Sequence, residues 1–216
     1  MPTVDTFLTF LFALFLLEIS PGPDMMLTIA RGIGQGRRIA FLTVVGNVFV
    51  AGIIQVSFLV LGLVSVVHAW PMALDLLRWF GAGYLIWLGI KMLLTAGSDT
   101  KIKKTVKITG REAVKQGAIN SLTNPKSLLF MFAFLPQFVN PEAGPIWSQL
   151  LILGTIQKLA GILSLGSVAM ASGVFGEWLG KHPGFIKWQE RFTGVVMIGL
   201  GIKMLFSGSS ISGAGK

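Results

Sequence analysis
The stretch Ile39 to Val67 runs for 29 residues without a charged side chain. As a helix it would be roughly 43 Å long at 1.5 Å per residue, longer than the hydrocarbon core of a bilayer, so it must tilt or protrude. Few folds other than an α-helical membrane protein accommodate such a run. The rest of the chain agrees with it. Only 12% of the 216 residues are charged and 53% are hydrophobic, where a soluble domain carries about 25% charged residues. No ten-residue alternation suggests a barrel. The absence of cysteine removes disulfides, thiolate nucleophiles and zinc-thiolate sites. The first residues, MPTVDTF, carry no Lys or Arg, and no A-x-A-like site follows, so a cleavable signal peptide is not expected.

Six spans are predicted, at about 4–30, 39–67, 72–96, 117–139, 147–179 and 192–208, in a single transmembrane domain over 1–216. The breaks between them are 32–38, 68–71, 140–145 and 180–191, with a basic loop at 97–116. The net charge of +9 sorts by loop. Arg31, Arg37 and Arg38 follow the first span. Lys101, Lys103, Lys104, Lys107, Arg111 and Lys115 follow the third, and Lys181, Lys187 and Arg191 follow the fifth. These hold twelve of the eighteen Lys and Arg residues, whereas the opposite loops offer only His68 and Glu142. The positive-inside rule then makes the three basic loops cytoplasmic and puts both termini outside. The charge therefore has a topological cause, with anionic lipid as its partner rather than nucleic acid.

The first span is interrupted by ISPGPDMML (19–27). Pro21 and Pro23 each remove a backbone donor and disfavour helix at the preceding residue. The fourth span is interrupted by LTNPKSLLF (122–130). Near the end of each half comes a matching segment: FGAGYLIWLGIKML (80–93) and FTGVVMIGLGIKML (192–205) agree at eight of fourteen positions. With three spans per half, about 4–96 and 111–208, the second copy must be upside down relative to the first. That is the inverted-repeat pattern of secondary transporters.

Backbone freed by proline inside a bilayer must be satisfied by protein or by a wet cavity. Each break also carries one ionisable residue, Asp24 or Lys126, whose insertion at a helix centre costs about 2.5 to 3.5 kcal/mol. Pro21, Gly22, Pro23, Asp24, Asn124, Pro125 and Lys126 are therefore the candidate substrate-binding residues. Glu18, an acid in an apolar half-helix, joins Asp24 as a candidate proton carrier. Lys158, a third of the way into the fifth span, either lines the site or snorkels. Lys91 and Lys203 read as helix-end anchors, and Ala169 and Gly173 as a close helix contact.

The two motifs, SPGPDMMLTIARGIGQGRR and NPKSLLFMFAFLPQFV, resemble those of the LysE/RhtB family of amino-acid exporters, and the likeness runs over essentially the whole chain. The resemblance implies a multi-pass protein of a prokaryotic inner membrane that expels a small amino acid or derivative, driven by the proton gradient. Asp24 would meet the substrate ammonium, and Lys126 or a half-helix N-terminus its carboxylate. One departure is GNVFVAGIIQ (46–55), with no acid where relatives often carry one. A metal-ion exporter of the same superfamily is the alternative. The only histidines, His68 and His182, lie in loops, so a hard cation at Glu18 and Asp24 would be its form. No metal site or cofactor is expected otherwise. No enzyme motif such as HExxH or a nucleophile elbow is present. The sequence is compatible with a monomer or a homodimer.

Overall fold
The computed structural model describes residues 4–63, 65, 73–97 and 106–206. His68, Lys101, Lys103 and Lys104 lie outside the described residues. The described residues are helical, with no strand among them. Helix α1 (Val4–Ile19) and α2 (Pro23–Gln35) form one broken span, bent by 42°. Pro23 opens α2 at a position where a missing N–H costs nothing, with Gly22 extended before it. Helix α3 runs continuously over Arg37–Gly62, widened into π turns at Val45–Val50 and Phe58–Gly62. Helix α4 is Ala73–Thr95. The second broken span joins α5 (Gly110–Thr123) to α6 (Pro125–Leu129), and a π turn (Phe130–Phe134) and a 3-10 turn (Leu135–Phe138) continue it. Helix α7 is Ile146–Lys181 and α8 is Pro183–Phe206.

Three of the expected breaks shrink. Between α2 and α3 only Gly36 is non-helical, and its φ of 88° is one that glycine adopts without strain. The expected loop 180–191 reduces to His182, because Pro183 can start the next helix at once. Lys187 and Arg191 are therefore helical, not loop residues. Arg111 and Lys115 likewise sit on α5, which begins seven residues before the expected start of the fourth span. Thr109 caps that start, its side chain accepting from the Glu112 amide.

By length and apolarity, α3 and Ile146–Val174 of α7 can each cross a bilayer alone, and the bent α1–α2 pair passes the same test when its two helices are taken together. Among the described residues, the six expected spans are thus not all reproduced on that measure. In α4 the described apolar stretch is Trp79–Thr95, and α8 begins with the polar stretch around Lys187–Arg191.

Close backbone contacts hold the bundle. A side chain on Gly46 would collide with the Val114 carbonyl, and one on Gly117 with the Thr43 carbonyl, so α3 and α5 cross almost backbone to backbone. Helices α4 and α8 pack antiparallel. Gly89 abuts Gly194, and Gly201 abuts the Ala82 carbonyl. The expected contact at Gly173 is not made, since that glycine is exposed with nothing near it. Gly176, three residues on, meets Ile29 and Ile33 instead.

The connections cluster at one end. Arg31 donates to the Val106 carbonyl at 2.7 Å and Ile108 N donates to Gln35 at 2.7 Å, which ties the start of α5 to the end of α2. Gly97 N donates to Glu190 at 2.7 Å, which ties the end of α4 to α8. Large apolar side chains such as Phe12, Phe15, Phe49, Ile53, Phe58 and Leu163 point outward, as a lipid-facing surface requires.

Candidate functional site
Proline breaks leave α1 with unpaired carbonyls at its C-terminal end. In this fold the last three, and the Ser20 carbonyl just beyond the helix, each have a side-chain donor. Lys126 Nζ donates to Leu17 O at 2.9 Å and to Ser20 O at 2.7 Å. Ser164 Oγ donates to Glu18 O at 3.0 Å, and Gln189 Nε2 to Ile19 O at 2.5 Å. The donors come from α6, α7 and α8, all in the second half of the chain. Lys126 thus caps the negative end of a half-helix dipole.

The second break is built by Asn124. Its Oδ1 accepts from Lys126 N at 3.0 Å, capping α6, while its Nδ2 donates to Asp24 Oδ2 at 2.6 Å. Asn120 Nδ2 donates to the other Asp24 oxygen at 2.5 Å. Asp24 itself lies in the first turn of α2, where the helix dipole favours a carboxylate. The two breaks therefore touch, and Gly22 packs on the Lys126 stem. Asp24 and Lys126 are each held by neutral polar groups instead of meeting as a simple salt bridge.

Between two apolar clusters, one around Phe10, Leu14 and Met131 and one around Met25, Ile29 and Val44, lies a polar cavity of about 60 Å³. Glu18, Asp24, Lys126 and Lys158 all line it, two acids against two bases. Gly22 and Asn124 line it too. Of the other sequence candidates, Pro21, Pro23 and Pro125 are not among its lining residues, and Pro23 and Pro125 face outward. The prolines shape the breaks without forming the wall. Lys158 does not snorkel. Its stem packs on Gly52 and its Nζ donates to Gln55 Oε1 at 2.5 Å. Gln55 in turn donates to Ser121 O at 3.0 Å. So the stretch without an acid supplies a neutral amide as the lysine's partner.

Sequence reading missed Ser20, Asn47, Ser127 and Gln157, which complete the wall, and Asn120 and Gln55 behind it. A signal existed, since Asn47 and Gln55 are the only side-chain amides in the 29-residue apolar run of the second span. Asn47 falls in the first π turn of α3, a widening frequent at functional sites. Among the described residues no group of three or more His, Cys, Asp or Glu could hold a metal ion. Lys91 stacks over Trp87, 5.1 Å from the ring centroid, as an exposed helix-end residue does.

Residues 15–208 match the profile of the LysE type translocators. Two similar proteins are a homoserine/homoserine lactone efflux protein of Salmonella typhimurium and a leucine efflux protein of Enterobacter sp. The first is 30% identical over 200 residues, covering 92% of this chain and 95% of the relative. The second is 26% identical over 205 residues, covering 93% and 95%. An uncharacterized membrane protein of Vibrio cholerae is 25% identical over 200 residues. No solved structure matches the chain.

Proposed function
From the premise that this chain belongs to the LysE type translocator family and is a multi-pass membrane protein, not an enzyme, we propose that it exports a small amino acid or amino-acid derivative in exchange for protons. The observation that carries this reading is the cavity at the two broken helices, where Glu18 and Asp24 face Lys126 and Lys158. A zwitterion has one positive and one negative pole, and a site with both signs of charge binds it without leaving either buried charge unbalanced. Asp24, held by Asn120 behind the wall and by Asn124 within it, is the group for the ammonium. Lys158, with donors to spare, faces the carboxylate together with the remaining donor of Lys126.

Glu18 is the proposed proton carrier. It lines the same cavity, so a proton bound there and a substrate ammonium compete for one set of charges. A cavity of about 60 Å³ holds only a few waters, so admitting an amino acid requires its walls to part. The inverted-repeat reading supplies the motion. The 112-residue offset exchanges Ala82 with Gly194 and Gly89 with Gly201, and it turns the Gly89–Gly194 contact into the Gly201–Ala82 contact. That exchange supports halves related by a two-fold axis, which could rock about the central site. We place the basic connections in the cytoplasm on their charge. The metal-ion alternative finds no support in the relatives, which are named for amino-acid cargo or left without one.

The test is growth of overexpressing cells on a panel of inhibitory amino acids and analogues, with metal salts alongside. Resistance to amino acids with faster efflux is the expected result. Resistance to metals alone would overturn the reading.

A further inference from the structure
We propose that Ser20, Asn47 and Gln157 form an uncharged subsite in the central cavity that selects an amino acid bearing a side-chain hydroxyl over its wholly apolar isostere. The inference rests on the exporter reading and adds the part of the substrate that reading leaves open.

The three side chains are 2%, 5% and 3% exposed, and all three line the cavity. Ser20 Oγ, Asn47 Nδ2 and Gln157 Oε1 have no hydrogen-bond partner in the protein. The other buried side-chain atoms in that condition among the described residues, on Arg31, Tyr84 and Thr193, do not line it. Buried polar groups are otherwise almost always paired, so three unpaired ones around one cavity mark where a partner enters. They come from the first break, the π turn of α3 and the middle of α7.

Their chemistry defines that partner. The ionisable groups of the cavity address the ammonium and carboxylate that every amino acid shares, so they cannot discriminate. Asn47 Nδ2 offers a donor, Gln157 Oε1 an acceptor, and Ser20 either. A hydroxyl accepts from the first and donates to the second. A methyl in its place does neither and leaves both amides dry when the site closes, which is how polar pockets reject apolar analogues.

The test is counterflow in proteoliposomes with L-homoserine and L-norvaline, which differ by a hydroxyl for a methyl. The wild-type protein should carry homoserine faster. Asn47→Leu, Gln157→Met and Ser20→Ala should each lower the homoserine-to-norvaline ratio by roughly tenfold, the loss of one hydrogen bond. Equal wild-type rates, or variants that slow both substrates with the ratio unchanged, would overturn the subsite while leaving the exporter reading intact. Should the helix variants fail to reconstitute, Ser20→Ala removes a single oxygen and decides the matter. Counterflow of neither substrate, and of no other amino acid, by the wild type would overturn the exporter reading and the subsite with it.

Discussion

Lys126 Nζ lies 2.7 Å from the carbonyl oxygen of Ser20, a residue 106 positions earlier in the chain. One ammonium thereby closes the broken end of the first span from the second half of the protein. Lys126→Met keeps the stem and deletes both carbonyl bonds. It should abolish efflux and lower stability by about 3 kcal/mol, two bonds to a charged donor at about 1.5 kcal/mol each. Thermal unfolding in detergent, read beside transport, measures both. Full efflux with unchanged stability would contradict the capping role.

Asp24 is gripped by Asn120 and Asn124. Asp24→Asn preserves shape, sets amide against amide, and removes the charge proposed for the substrate ammonium. Efflux should drop by roughly a hundredfold or more, the scale for losing a partly buried, hydrogen-bonded charge. Asn120→Ala leaves that charge in place and should cost less. The opposite ranking of the two variants in a whole-cell efflux assay would remove Asp24 from the substrate site.

Glu18→Gln removes a titratable group from the cavity wall while keeping its size. If Glu18 carries the coupling proton, efflux driven by an imposed pH gradient should fall while substrate counterflow without a gradient persists. An unchanged response to the gradient returns Glu18 to a purely structural part.

The charges of the connecting segments predict that Lys107 faces the cytoplasm and Glu142 the outside. Both side chains are exposed, and the native chain has no cysteine. Single Lys107→Cys and Glu142→Cys variants can be exposed to an impermeant maleimide on intact cells. Modification at 142 alone is expected, and modification at 107 alone would reverse the orientation.

By itself the sequence determined the helical membrane character, the two proline breaks with Asp24 and Lys126 on them, and the family. Those properties reside in composition and in short contiguous motifs. It placed Glu18 and Lys158 as candidates because a charge in an apolar run is conspicuous. Only the tertiary structure decided which way the neutral polar residues face. Asn47 and Gln157 sit in helices that are apolar on all sides, and such helices carry no periodic stripe from which a facing can be read. The same holds for the carbonyls of Leu17 and Ser20: proline at 21 and 23 announces that they are free, but their partner, Lys126, is set by how two distant breaks pack together.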